Sequence, residues 1–204
     1  RAPFGGGIGA GPFHSQSMEA WFCHTPGLKV VVPSSPADAK GLLLSSLDEP
    51  NPVLFLEHKK LYRSIKGDVP VAAERIPLGQ ASVVREGEAL SLVTYGVGVH
   101  WAMEEATFWA SKGVEIEVID LRTLIPWDRE TVLKSVAKTN RVMVVHEAPR
   151  TGGFGGEIAA EITESAFEYL DAPPIRLGAE DFPVPFSKSI EDDIYSAQSR
   201  IRVA

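Results

Sequence analysis

The sequence predicts an α/β fold built around parallel sheets. Apolar, β-branched segments alternate with segments that carry apolar residues at helical spacing, beginning with the pair at residues 28–33 and 36–47. Strands that are apolar on both faces are typical of parallel sheets that helices cover on both sides. The alternation stops in a linker at residues 61–81, which separates residues 1–60 from residues 82–204.

The first sixty residues contain two predicted strands and one predicted helix. The segments "LKVVVP" (28–33) and "PVLFLE" (52–57) predict strands, and "PADAKGLLLSSL" (36–47) predicts a helix that Pro36 begins. Two strands and one helix are too few for a complete doubly wound domain. We therefore expect residues 1–60 to be the last third of such a domain. Because the sequence starts at Arg1 without a signal-peptide pattern, we expect a fragment or a processed piece.

Residues 82–204 are predicted to form a self-contained α/β domain. The alternation of strands and helices is stronger here, and Gly113 is a good helix terminator. The predicted strands are at 90–96, 114–120, 141–147 and 174–178, and the predicted helices are at 101–113, 128–139 and 156–170.

Composition excludes several classes of protein. The formal net charge of -7 argues against a nucleic-acid partner, because phosphate binding needs clustered Lys and Arg. No apolar run approaches the ~20 residues that a bilayer span requires, so we expect no membrane span. Cys23 is the only cysteine, which excludes an internal disulfide and a cysteine-based zinc site.

Three glycine-containing segments are candidate ligand loops. The segment "FGGGIGAG" lacks the Lys and Ser or Thr of a phosphate-binding loop. The segment "VTYGVGVHW", with Asp120 further on, is close to a dinucleotide-binding fingerprint, but Trp101 stands where its third glycine belongs. The segment "TGGFGGE" precedes a predicted helix, so it either receives an anion or packs closely on the sheet.

The histidines differ in their settings. His146 and Glu147 end a predicted strand, where such a pair is expected to be structural. His58 has no spaced partners that would form a metal site. His14 follows a glycine-rich run that permits close backbone approach to a ligand, and imidazole can transfer protons near neutral pH. From these residues alone, His14 is either an active-site group or an ordinary polar residue of a flexible chain end.

Four segments, in order, carry a resemblance to a known family: "HSQSMEAWFCHTPGLKVVVPSSPADAKGLLLSSLDEPNPVLFLEHKKLYR", "EVIDLRTLIPWD", "SVAKTNRVMVVHEAP" and "TGGFGGEIAAEI". The chain resembles the β subunit of the thiamin-diphosphate-dependent 2-oxo acid dehydrogenases from Arg1 to about Pro185. The resemblance implies the C-terminal part of a parallel-sheet pyrimidine-binding domain at 1–60, followed by a transketolase C-terminal-like α/β domain at 82–204.

The resemblance also implies an activity and partners. It indicates an oxidoreductase subunit of an α2β2 heterotetramer, in which a 2-oxo acid is decarboxylated and the acyl group passes to the lipoyl group of an acyltransferase. Thiamin diphosphate and Mg²⁺ would be held mainly by the α subunit and by a segment upstream of Arg1. The chain alone would then be inactive, in the bacterial cytoplasm or the mitochondrial matrix. We also expect the loop around His14 to be mobile or displaced when partner and cofactor are absent.

Individual residues follow from the same resemblance. His14 matches the active-site histidine of the "HSQ" motif, which lies near the thiazolium ring and protonates the dithiolane sulfur. Ser46, Glu49 and Asn51 match a loop that binds a structural potassium ion.

The substrate and one alternative function stay open. The segments "TLIPWD" and "HEAPRTGGF" favour branched-chain 2-oxo acids, while "HSQSMEAWF" and "PGLKVV" also occur in pyruvate-type subunits, so the alternative is pyruvate or acetoin. The other function is a docking module for the acyltransferase, formed by residues 82–204 without catalytic residues of its own.

Overall fold

The computed structural model describes residues 1–195 and 197–204, and their strands form two sheets. The strands are β1 (Ala2–Phe4), β2 (Lys29–Val31), β3 (Val53–His58), β4 (Ser82–Arg85), β5 (Leu90–Thr94), β6 (Ile116–Asp120), β7 (Thr123–Ile125), β8 (Val142–Pro149) and β9 (Ile175–Ala179). The helices are α1 (Gly11–His14), α2 (Glu19–Cys23), α3 (Pro36–Asp48), α4 (Leu61–Ser64), α5 (Val97–Ala110), α6 (Arg129–Thr139), α7 (Gly155–Ala166), α8 (Lys188–Ile194) and α9 (Ala197–Ile201).

The larger sheet confirms the predicted α/β fold with parallel strands. Its strands lie in the order β4-β6-β5-β8-β9, and only β4 is antiparallel to its neighbour. Each predicted strand and helix of this half is present with small shifts at its ends. One such shift concerns α5, which begins at Val97 because Gly96, at a φ of 56°, turns the chain directly from β5 into the helix.

The smaller sheet has the order β1-β3-β2-β7. β1 and β2 are both parallel to β3, whereas β7, which comes from the second half of the chain, is antiparallel to β2. One strand of residues 82–204 therefore pairs with the first half of the chain, which the sequence did not indicate. Because β7 and β1 are only three residues long, neither carries enough alternation to be recognised as a strand.

Local capping explains where two of the helices begin. Ser35 accepts a hydrogen bond from the Asp38 amide at 3.1 Å at the start of α3, and Pro36 takes the first helical position. Asp128 does the same for α6 by accepting from the Thr131 amide at 3.0 Å. These caps satisfy backbone donors that the first helical turn leaves without partners.

One hydrophobic core joins the two halves of the chain. Phe4, Val30 and Leu56 of the smaller sheet pack in the same cluster as residues of the larger sheet and its helices. Among the second-half members, Leu124 of β7 is fully buried. No helix among the described residues is both long and apolar enough to cross a membrane.

Candidate active site around His14

The first half of the chain fills the crevice in which a doubly wound sheet holds ligands. That crevice lies outside the carboxyl ends of the strands where the strand order reverses, here β5 and β8. Beyond β5, the Tyr95 hydroxyl donates to Glu19 Oε1 at 2.7 Å. At the end of β8, Glu147 accepts from Ser17 Oγ at 2.6 Å. The crevice therefore holds the segment that follows His14.

Glu147 is the centre of this junction. Its Oε2 atom accepts hydrogen bonds from the Gly6 amide at 2.9 Å and from Ser17 Oγ, and it lies 2.9 Å from His58 Nε2. Burial alone would raise the pKa of this carboxyl group, but attraction to His58 and these hydrogen bonds outweigh it and lower the pKa. The sequence-based expectation that Glu147 is structural fits these contacts, whereas the sequence did not identify His58 as its partner.

Glu19 has the opposite protonation tendency. Its side chain is fully buried, and burial raises its pKa despite the hydrogen bond from Tyr95. Its Oε2 atom has no hydrogen-bond partner among the described residues. The crevice thus contains a carboxylate, Glu147, beside a carboxyl group that tends to keep its proton.

The glycine-rich segment wraps a second buried carboxylate. The amides of Gly7 and Gly9 donate to Oε1 and Oε2 of Glu191, both at 2.9 Å. The φ angles of these glycines are 79° and 66°, a region that L side chains rarely adopt. Successive amides in such a conformation form an anion-binding concavity, and Glu191 occupies this one.

Three rings explain why the segment lacks side chains. A Cβ atom on Gly5 would lie 2.2 Å from the His58 ring, and one on Gly6 would lie 2.2 Å from the Tyr195 ring. A Cβ atom on Gly11 would lie 2.5 Å from the Phe186 ring. The close approach expected from the glycines is thus to the protein's own rings and carboxylates.

His14 is the last residue of α1 and is exposed. Lys59 Nζ donates to its carbonyl oxygen, and the Tyr195 hydroxyl donates to the Ser15 carbonyl oxygen at 2.5 Å. The imidazole itself makes no hydrogen bond within the described part of the chain. The backbone is thus packed on both sides of His14 while its imidazole is exposed, and the expectation that this loop is mobile without partner and cofactor stays a prediction.

A cavity of about 300 Å³ lies between the two halves beside this segment. Gln16, Met18 and Trp21 line it on the side that follows His14, and Phe182 and Tyr195 line the opposite side. Trp21 and Phe182 remain 71% and 65% exposed. An apolar group that enters this cavity would therefore contact aromatic surface beside the segment that follows His14.

The "TGGFGG" segment supports the packing interpretation. Cβ atoms on Gly153, Gly155 and Gly178 would all lie within 3.0 Å of the His146 ring. The His146 Nδ1 atom lies 3.0 Å from the Ala148 carbonyl oxygen, and burial lowers its pKa to about 4. These glycines leave room for a neutral, buried imidazole.

The dinucleotide-binding interpretation lacks its key residue. Asp120 is fully buried, where it accepts from Ser34 Oγ at 2.5 Å and from the Arg122 amide at 2.9 Å. Burial raises its pKa to about 7. Because its oxygens are bonded within the protein, they are not available to a ribose, and Trp101 is buried where the fingerprint requires glycine.

The three residues of the predicted potassium loop lie at the end of α3 and just after it. Glu49 is bonded to Lys29 Nζ at 2.6 Å and to Asn51 Nδ2 at 2.8 Å, and the contact with Lys29 lowers its pKa. Ser46 donates to the Leu42 carbonyl oxygen at 2.7 Å. A lysine ammonium group therefore already neutralises the only carboxylate among the three.

Comparisons with known proteins match both halves of the chain. The profile of the family described as "Transketolase, C-terminal domain" matches residues 79–201, and that of "Transketolase, pyrimidine binding domain" matches residues 1–65. A solved structure described as "Split gene transketolase, inactive beta4 tetramer" has a TM-score of 0.74 and 22% identity over 98% of this chain and 65% of that one. At this identity the likeness concerns the fold alone.

Several curated proteins are similar in sequence. The chain is 53% identical to 2-oxoisovalerate dehydrogenase subunit beta 2, mitochondrial, of Arabidopsis thaliana, over 91% of this chain and 52% of the relative. It is 44% identical to 2-oxoisovalerate dehydrogenase subunit beta of Bacillus subtilis (strain 168), over 94% and 59%. It is 46% identical to the pyruvate dehydrogenase E1 component subunit beta of the same organism, over 93% and 58%. The chain thus spans little more than half the length of these relatives.

Proposed function

The chain belongs to the transketolase C-terminal domain family, and we propose that it serves in the β subunit of the decarboxylating component of a 2-oxo acid dehydrogenase complex. In this proposal residues 1–60 are the C-terminal part of the pyrimidine-binding domain and residues 61–81 are a linker. Residues 82–204 are the transketolase C-terminal-like domain. Support comes from the two family profiles and from relatives that are named as dehydrogenase β subunits.

The main support for the proposal is that the backbone of His14 is fixed while its side chain is exposed. Its backbone is held from both halves of the chain, while its imidazole is exposed and makes no hydrogen bond within the described residues. A histidine held this way can give a proton to a substrate atom without first breaking an internal contact. We assign it the protonation of the dithiolane sulfur when the acyl group is transferred to lipoyl.

Thiamin diphosphate would supply the chemistry that decarboxylates the 2-oxo acid. The described residues bring no three His, Cys, Asp or Glu side chains together in a geometry that could hold a metal ion. As the resemblance implies, we assign the diphosphate and Mg²⁺ mainly to the α subunit. The contribution of this chain is to position His14 and to form an apolar wall with Trp21 and Phe182.

The structure bears on the potassium ion that the resemblance implies at Ser46, Glu49 and Asn51. Ser46 and Asn51 carry neutral oxygen atoms that suit a monovalent cation, but Glu49 is already paired with Lys29. An ion bound there would have to rely on the neutral oxygens and on carbonyl groups. The residues fit potassium poorly, so no step of the mechanism is assigned to it.

We propose a branched-chain 2-oxo acid as the substrate. The support is that 2-oxoisovalerate dehydrogenase β subunits are among the relatives, from a plant and from a bacterium. The alternative substrate is pyruvate or acetoin. It is supported by the 46% identity between this chain and a pyruvate dehydrogenase β subunit. The location would be the bacterial cytoplasm or the mitochondrial matrix.

The proposed partners are an α subunit, in an α2β2 heterotetramer, and a lipoyl-bearing acyltransferase. A second candidate function is docking of that acyltransferase by residues 82–204 alone. The acidic net charge of -7 is the observation that favours a basic partner. The test is a pull-down with the acyltransferase. If the complete heterotetramer binds and residues 82–204 alone do not, this half does not dock unaided.

The test of the main proposal is His14→Ala in the full-length subunit, assembled with its α subunit. We expect acylation of the lipoyl domain to fall by a factor of about 100 or more, because general acid catalysis contributes roughly that much. Decarboxylation measured with an artificial electron acceptor should change far less. His24→Ala, on the nearby helix end, is the matched control. Equal lipoyl acylation in His14→Ala and the parent would rule out the assigned role.

A further inference from the structure

The end of α8 and the residue that follows it hold the chain on both sides of the His14 helix. Glu191 and Tyr195 are four residues apart, and the Tyr195 amide donates to the Glu191 carbonyl oxygen at 3.0 Å, so their side chains share one helix face. Glu191 accepts the amides of Gly7 and Gly9, which precede α1. Tyr195 donates to the carbonyl oxygen of Ser15, which directly follows His14.

The α1 segment is closed on itself between these two anchors. The Ser15 amide donates to the Gly11 carbonyl oxygen at 3.0 Å, and the Ala10 amide donates to Ser15 Oγ at 3.1 Å. Ser15 is fully buried. The single helical turn that carries His14 is therefore closed by its own hydrogen bonds, and the contacts at its two ends fix its place in the molecule.

We propose that Glu191 and Tyr195 are positioning residues for His14. The inference rests on the proposed role of His14 in acyl transfer. Glu191 supplies a fully buried carboxylate that directs the glycine amides, and Tyr195 packs its ring on Gly6 while its hydroxyl holds Ser15. A further anchor is Lys59, whose ammonium group donates to the His14 carbonyl oxygen.

The arrangement acts on the geometry of proton transfer. A reacting group must lie within a narrow range of distances from its partner, and a displacement of about 1 Å can lower a rate by a factor of about 100. Loss of one anchor loosens one end of α1, although Glu147 still holds Gly6 and Ser17, and it widens the range of positions that the His14 imidazole samples. The effect falls on the step that uses His14, which the proposed function identifies as lipoyl acylation.

Two substitutions remove one anchor each with little change in shape. Tyr195→Phe keeps the ring on Gly6 and deletes the hydroxyl that reaches Ser15. Glu191→Gln keeps the volume, but its NH₂ group faces one glycine amide, so a hydrogen bond becomes a contact between two donors. Each has a matched control: Tyr169→Phe, whose hydroxyl makes no hydrogen bond within the described residues, and Asp192→Asn, an exposed neighbour paired with Lys188.

The experiment uses the full-length subunit assembled with its α subunit, with three readouts. We expect kcat for lipoyl acylation to fall by a factor of about 10 or more in both variants, with an unchanged KM for the lipoyl domain. Decarboxylation with an artificial acceptor should change by less than a factor of about 2. Hydrogen exchange of the amides between Gly5 and Ser17 should accelerate in the variants and stay unchanged in the controls.

The outcomes separate this inference from the proposed function. Unchanged exchange in both variants overturns the inference, and so does a parallel fall of both activities, because that reports a general loss of structure. If His14→Ala leaves acylation intact, the assigned role of His14 fails. Accelerated exchange in Glu191→Gln and Tyr195→Phe would still support their anchoring of the segment.

Discussion

The Oε2 atom of Glu147 lies 2.9 Å from Nε2 of His58, and this contact joins the carboxyl ends of two parallel sheets. His58 ends β3 of the smaller sheet, and Glu147 lies near the end of β8 in the larger one. Parallel sheets bind ligands at this edge. Because the two edges face each other, the segment that carries His14 occupies the space between two potential ligand-binding edges.

Removal of the Glu147 carboxylate should be among the most destabilising single changes. Glu147→Ala leaves the Gly6 amide, the Ser17 hydroxyl and His58 without their shared acceptor in a buried place. We expect the free energy of unfolding to fall by about 3–5 kcal/mol for Ala and by less for Gln, which keeps one acceptor. Urea unfolding measures the difference, and a loss below about 1 kcal/mol for Ala would contradict this account.

The stabilisation from Glu147 should disappear in acid. Its folded pKa lies below the usual value of 4.5, so ionisation of this group stabilises the fold above that pH and the benefit is lost as pH falls through the folded value. The difference in unfolding free energy between the parent and Glu147→Gln should therefore shrink from about pH 6 toward about pH 3. A difference that is independent of pH would show that the charge of Glu147 contributes nothing.

Asp120 should behave in the opposite way. Burial raises its folded pKa to about 7, so the fold binds a proton that the unfolded chain has released, and stability falls as pH rises from about 4 to about 7. Asp120→Asn keeps the shape and can still accept from the Arg122 amide while it donates to Ser34 Oγ. We expect this variant to gain stability relative to the parent over that pH range, with a plateau above it. Equal pH profiles would exclude a raised pKa.

Much of the fold could be predicted because it depends on local patterns. The strand at 90–94 and the helix at 36–48 follow from apolar spacing, and Pro36 and Gly113 mark helix ends by their backbone preferences. The glycines before His14 distinguished it from the other histidines. Only the resemblance to a family, however, suggested that it is an active-site residue and not an ordinary polar one. A local pattern reports which element forms and not which distant residue meets it.

The contacts that hold His14 could not be predicted for that reason. Glu147, Glu191 and Tyr195 are separated from their partners around α1 by 141, 184 and 180 residues in their respective hydrogen bonds. The sequence signal for these contacts was the run of glycines before His14, which indicates that another group approaches the backbone closely. It did not tell a ligand from the protein's own carboxylates, because a backbone amide donates to either in the same way.

Gly5 should tolerate alanine less well than a glycine with a similar backbone angle and no neighbours. Gly5 has a φ of 91° and faces the His58 ring, whereas Gly27 has a φ of 85° and no atom within 4 Å of the place that a Cβ atom would take. Alanine at Gly27 should cost only the backbone strain, about 1–2 kcal/mol. Alanine at Gly5 should cost about 1–3 kcal/mol more, because the His58 ring cannot move without loss of its contact with Glu147. Similar losses in urea unfolding would argue against tight packing of His58 on the segment.

Residues 82–204 expressed alone should expose part of the shared core. β7 would lose its partner β2, and Leu124, fully buried in the chain, would face solvent together with Ile125. An unpaired apolar strand edge promotes association. We therefore expect this fragment to bind a hydrophobic dye and to form oligomers, and Leu124→Thr to reduce both without loss of the larger sheet. A monomeric fragment that binds no dye and unfolds with the stability of the parent would mean that the second half is self-contained after all.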